Sequence, residues 1–73
     1  MGALGKNLRA ARKELGLTQE EVASRSGVQA GEISRIENGK RDPQVSTLEK
    51  IAAALEMTPG RLLDLHLTPA RRS

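Results

Sequence analysis

Apolar residues in this chain recur at three- and four-residue intervals, in short stretches opened by capping residues and closed by glycine. That pattern specifies short amphipathic helices, and no stretch alternates as a half-buried strand would. Leu4, Leu8, Ala11 and Leu15 form one stripe, and Gly16 stands where a left-handed residue ends a helix. A first helix is expected over residues 3–15. Thr18-Gln19-Glu20-Glu21 reads as a capping box, in which Thr18 caps and Glu21 reaches back. The second helix then turns Val22 and Ala23 inward and stops near Ser26-Gly27. Val28 bridges a turn. A third helix starts near Gln29, buries Ile33 and Ile36, and ends at Asn38-Gly39. Beyond a polar loop, Lys40-Arg41-Asp42-Pro43, a second capping box is read at Ser46 and Glu49, with Val45 as its hydrophobic staple. Leu48, Ile51, Ala52 and Leu55 give the fourth helix its inner face. Thr58 caps a fifth, with Pro59 at its first position, and Leu62 and Leu63 close the core. The expected fold is all-α, with five helices over residues 1–67 and a flexible tail over 68–73.

Composition narrows the function. The chain has 73 residues, enough for one domain that buries only about 60% of its unfolded surface. It has no cysteine and one histidine, so cysteine-based zinc sites are excluded and no metal or cofactor is expected. No apolar run approaches the ~18 residues of a membrane span and no signal-peptide pattern precedes the first helix, so a cytoplasmic, nucleoid-associated protein is expected. Phe, Tyr and Trp are absent, which removes the stacking platforms of single-strand binding modules. Net charge is +3, but Arg71 and Arg72 lie in the tail, and without them 10 basic residues face 9 acidic ones. A phosphate-binding surface must therefore be local. Lys6, Arg9, Arg12 and Lys13 precede the first acid, and Lys40-Arg41 form a second cluster. No nucleophile–base constellation or phosphate-cradling glycine loop suggests an enzyme.

Residues 18–38 meet the demands of two helices crossing steeply through a short turn. Ala23 is small where the helices nearly touch, Gly27 can take positive φ, and Val28, Ile33 and Ile36 anchor the second helix on the first. These are the marks of a helix-turn-helix.

The chain also resembles the lambda-repressor-like (Cro, or xenobiotic-response-element) family of phage and bacterial regulators. The resemblance is carried by Leu8-Arg9 and Arg12, Gly16-Leu17-Thr18-Gln19-Glu20-Glu21-Val22-Ala23, Gly27-Val28, Ile33-Ser34-Arg35-Ile36-Glu37-Asn38-Gly39, and Leu48, Ile51, Ala52 and Leu55. It implies a five-helix domain whose third helix enters the major groove of double-stranded DNA, with dimers reading two half-sites about one helical turn apart. It implies that Gln19 bonds a phosphate at the start of helix two, the alternative being a plain exposed side chain. Asn38, Lys40 and Arg41 would grip the backbone, or else form a solvated loop. Arg12 and Glu37 match a family ion pair joining helix one to the end of helix three, with Arg12 also near a phosphate. Dimerisation through helix five would use Pro59, Arg61, Leu62, Leu65 and Leu67; Leu62 and Leu63 cannot both serve it, since at least one belongs to the core, and for Leu65 and Leu67 the alternative is packing of a chain end.

The start of the recognition helix departs from the family pattern. In Gln29-Ala30-Gly31-Glu32, Ala30 offers only a methyl contact to thymine and Gly31 no side chain. Base edges are left to Glu32, Ser34, Arg35 and Gln29. Arg35 is the strongest candidate, since arginine pairs bidentately with guanine; its alternatives are a phosphate or a pair with Glu32 one turn back. Glu32 is favoured more by the helix dipole than by cytosine, and Ser34 is better placed for phosphate than for a base. Gly31 either is simply tolerated or lets the helix approach the bases closely. With so few readers, DNA shape is expected to supply part of the specificity. The expected function is a homodimeric transcriptional regulator, a repressor or controller, with RNA polymerase or a toxin as further partners. The alternative is an antitoxin or protein-interaction module on the same scaffold.

Overall fold

The computed structural model describes residues 2–63, and their side chains from Leu4 onward. Five helices follow one another: α1 (Gly2–Glu14), α2 (Gln19–Ser26), α3 (Ala30–Glu37), α4 (Val45–Ala54) and α5 (Pro59–Leu63). No strand occurs among the described residues. Helix α1 packs on α3 and α5, α2 on α3 and α4, and α4 on α5. The core between them is aliphatic: Leu4, Leu8, Ala11, Val22, Ile33, Ile36, Leu48, Ile51, Ala52, Leu55 and Leu62, with Leu17, Val28, Met57 and Leu63 against its edge.

The helix ends follow local chemistry. Thr18 Oγ1 accepts from the Glu21 N–H at 3.0 Å while the Thr18 N–H donates to Glu21 Oε1 at 2.8 Å, which is the expected capping box. Gly27 ends α2 at φ 78°, and its N–H donates to the Ala23 carbonyl. Gly39 ends α3 at φ 73°. Its N–H donates to the Ile36 carbonyl at 3.1 Å and the Lys40 N–H to the Arg35 carbonyl at 2.9 Å, so the loop cations leave α3 at a fixed angle. Helix α4 ends by the same bonding pattern, but its left-handed position is held by Glu56, at φ 60°. Thr58 caps α5 through a bond from the Arg61 N–H at 3.1 Å.

Several expectations need correction. Helix α1 stops at Glu14, so Leu15 lies past its end and is 44% exposed; Leu17 packs on the core in its place. Gln29 precedes α3 as its cap rather than belonging to it, and its side chain makes no capping bond. Ser46 is not the cap of α4. The Gln44 carbonyl already accepts from the Leu48 N–H at 2.9 Å, so the helix begins before Ser46, and Gln44 caps it without a side-chain bond. Val45 is then the first helical residue, points to solvent at 71% exposure, and is no staple.

Two residues fix α1 in ways that sequence patterning did not reveal. Asn7 is buried, and its Nδ2 donates to the carbonyls of Leu62 at 2.9 Å and Leu63 at 3.0 Å, stitching α1 to the end of α5. Gly5 lies at the closest approach of α1 and α3. A Cβ there would stand 2.5 Å from the Ile36 carbonyl oxygen and 2.8 Å from that of Glu37, both rigid backbone atoms. Gly5→Ala should therefore force α1 off α3 despite alanine's better helix propensity. The expected loss is about 1–3 kcal/mol, measured by denaturant melts; a more stable variant would refute the close contact.

Candidate nucleic-acid interface

The helix-turn-helix is held by one buried carboxylate. Glu37, the last residue of α3, accepts from Arg12 Nε at 2.7 Å on Oε2, and from Arg12 Nη2 at 3.0 Å and Gln19 Nε2 at 3.1 Å on Oε1. Arg12 Nη1 donates to the Leu17 carbonyl at 2.9 Å. The side chains of Arg12 and Glu37 are 11% and 2% exposed. The hydrogen bonds to Glu37 raise the Arg12 pKa, against a smaller lowering by burial, so the guanidinium stays charged at any ordinary pH.

This geometry sharpens three expectations. Arg12 and Glu37 form the ion pair, in bidentate form. Arg12 is turned inward, with three of its donors occupied by protein, so its first role is structural. Gln19 joins the same network, which sequence reasoning missed; one amide N–H is taken by Glu37, and the amide carries a second.

Helix α3 presents Gly31, Ser34, Arg35 and Asn38 at helical spacing on the side opposite Ile33 and Ile36. Gly31, Arg35 and Asn38 are exposed, Ser34 half-buried, and Asn38 Nδ2 donates to Ser34 Oγ at 3.4 Å. Gln29 is exposed beside this face, while Ala30 is half-buried at its margin. Arg35 folds back over Gly31, so that a Cβ on Gly31 would lie 3.6 Å from its Nη1, an ordinary contact. Arg35 Nη2 also donates to Glu32 Oε1 at 3.3 Å, the intrahelical pair weighed above as an alternative. From the loop, Arg41 Nε reaches Glu32 Oε2 at 2.9 Å. Lys40 is exposed. With Glu37 matched by Arg12, the cations Arg35, Lys40 and Arg41 stand against the carboxylates of Glu32 and of Asp42 in the loop, a small positive excess.

The dimer residues fare differently. Leu62 is completely buried in the core, so its place in a dimer face is corrected: its side chain closes the interior beneath α1 and α4. Pro59 is half-buried and Arg61 exposed. Leu65 and Leu67 lie outside the described residues.

A short helix pair packed together, an α2 start bonded inward to the end of α3, and an outward α3 face flanked by loop cations define a helix-turn-helix domain of the lambda-repressor-like class. The chain belongs to the helix-turn-helix family HTH_3, whose pattern it matches over residues 8–62. It is 50% identical over 58 residues to the HTH-type transcriptional repressor RghR of Bacillus subtilis, an alignment covering 78% of this chain and 43% of that repressor. It thus spans less than half of RghR. Among solved structures it resembles the restriction-modification controller protein C.AhdI from Aeromonas hydrophila, with a TM-score of 0.80 at 33% identity, covering 82% of this chain and 91% of that one. The DNA-binding domain of the P22 c2 repressor superposes with a TM-score of 0.81 at 33% identity, covering 89% and 88%.

The buried network predicts a sign. Glu37→Leu strands the Arg12 guanidinium, and since that group keeps an exposed edge the loss should be about 2–3 kcal/mol, below the ~3–5 kcal/mol of a fully buried break. Arg12→Met combined with Glu37→Leu should recover part of it. A double variant no more stable than Glu37→Leu alone would contradict this account. At Gly31, where only a flexible guanidinium is nearby, Gly31→Ala should stabilise the free protein by about 1 kcal/mol. It should also weaken binding to a selected duplex if the helix backbone approaches the bases there; unchanged or tighter binding removes that role.

Proposed function

We propose that this chain is a sequence-specific double-stranded-DNA-binding transcriptional regulator that acts as a homodimer on a two-fold operator. The observation that carries the reading is the outward face of α3, where Arg35 stands on a rigidly braced helix beside the loop cations Lys40 and Arg41. Arg35 serves as the reader of base edges in the major groove. Lys40, Arg41, Asn38 and the second N–H of Gln19 serve as phosphate contacts. A single helix-turn-helix covers little DNA, so two copies are needed for useful affinity, and the exposed parts of α5, including Arg61, are the surface proposed for their contact. The resemblance to a repressor and to a restriction-modification controller supports repression or promoter control as the output. Such work on chromosomal DNA belongs in the cytoplasm, at the nucleoid. No helix among the described residues is long and apolar enough to cross a membrane.

A second reading, a protein-interaction module, draws on the sparse first turn of α3, where Ala30 and Gly31 offer no hydrogen-bonding side chain. Selection of binding sites from random duplex DNA, followed by footprinting and titration in salt, separates the two. The regulator should select paired half-sites about one helical turn apart. A dimer touching some 6–8 phosphates should give a log–log salt slope of roughly −5 to −7. Failure to bind any duplex in a salt-dependent manner would favour the interaction module.

A further inference from the structure

The α3 face carries a carboxylate that a phosphate backbone repels, and that carboxylate has two partners. Glu32 Oε1 accepts from Arg35 within the helix at 3.3 Å, and Oε2 forms an ion pair with Arg41 Nε in the following loop at 2.9 Å. The Glu32 side chain is only 18% exposed, against 54% for Arg35 and 60% for Arg41, so the acid lies beneath two arginines whose outer edges face solvent. Each guanidinium meets the carboxylate through one nitrogen, Nη2 in Arg35 and Nε in Arg41, so most of the N–H donors of both remain available. The helix dipole explains a carboxylate in the first turn of α3 but not its bond to a loop residue nine positions on. Exposed pairs of this kind add little stability, so stability does not account for the bridge either.

Resting on the DNA-binding reading above, we propose that Glu32 is a positioning and specificity-determining residue for the two arginines. It holds a groove-reading arginine on the helix and a backbone-gripping arginine on the loop as one unit, so less side-chain freedom is lost when both meet their targets. It also cancels one of their two charges. Affinity for arbitrary duplexes comes almost wholly from phosphate neutralisation, so the cancelled charge weakens random binding, while the fixed geometry keeps binding to the correct site.

Glu32→Gln tests this, because the amide keeps the shape and one acceptor oxygen but removes the charge. The probes are a duplex selected as above and a scrambled duplex of equal length, each titrated in a salt series. Binding to the scrambled duplex should tighten about three- to tenfold, and its log–log salt slope should steepen by about 0.9 per protomer. Binding to the selected duplex should stay level or weaken, so the ratio of the two affinities should fall about tenfold. A thermal melt close to that of the parent shows that folding is not the cause. Adding Arg41→Gln should return the scrambled-duplex slope to its parental value without restoring discrimination. If Glu32→Gln leaves both the ratio and the slope unchanged, the proposal is overturned. If the parent chain itself shows no salt-dependent binding to either duplex, the DNA-binding reading fails, and this proposal with it.

Discussion

The carboxylate of Glu37, at the end of α3, gathers donors from both preceding helices. Arg12 comes from α1, Gln19 from the first position of α2, and Glu37 itself closes α3. A buried carboxylate is expensive unless its lone pairs are filled, and here three N–H groups fill them. Those bonds reach their short distances only when α2 packs on α3 and α1 lies alongside α3 in one arrangement. Gly5 acts on the same end of α3. It sits seven residues, or two helical turns, before Arg12 on α1, and its missing Cβ lets the two backbones touch at the Ile36 and Glu37 carbonyls. The recognition helix is thus clamped at its C-terminal end by a backbone contact and an ion pair. Its outer face can then be built from small and flexible residues without loss of direction.

The parts of this structure that were legible in the sequence are those decided within one helical turn. The capping box at Thr18 and Glu21, and the glycines that end α1, α2 and α3, need only neighbours a few residues away. Helical periodicity also gave the inner faces of α3 and α4 correctly. What escaped were choices between competing local signals and contacts between distant segments. Ser46 with Glu49 is a sound capping signal, but Gln44 already closes the first turn of α4 and turns the staple candidate Val45 outward. Glu56 occupies a left-handed position that a search for glycine passes over. Asn7 reads as a polar residue on an amphipathic helix until α5, more than fifty positions later, brings it two carbonyls. The pairing of Arg12 with Glu37 came from family resemblance, and the third member, Gln19, came only from the fold.

The candidate site divides along the same line. Sequence spacing was enough to name Ser34 and Arg35 as outward residues of α3, because helical periodicity is a local property. It could not join Arg41 to Glu32, since that bond depends on the turn at Gly39 bringing the loop back along α3. Nor could it remove Leu62 from the dimer surface. In a helix as short as α5, two adjacent leucines point apart, and the packing of α1 and α4 decides that Leu62 faces the interior.

Two arginine–glutamate clusters of similar chemistry therefore do different work because of where water stands. Around Glu37 the carboxylate is almost wholly buried and Arg12 keeps only a narrow exposed edge, so the cluster acts as a fixed joint. Around Glu32, each arginine is more than half exposed, and water or a phosphate can replace the carboxylate at modest cost. The first cluster sets the helix in place and should persist in any complex. The second orients two arginines through one carboxylate while more than half of each side chain stays open to solvent. On the proposed DNA-binding reading, a helix whose first turn supplies so few hydrogen-bonding side chains depends on that arrangement, because discrimination then falls to Arg35, the flanking grip on the backbone, and the shape of the DNA between them.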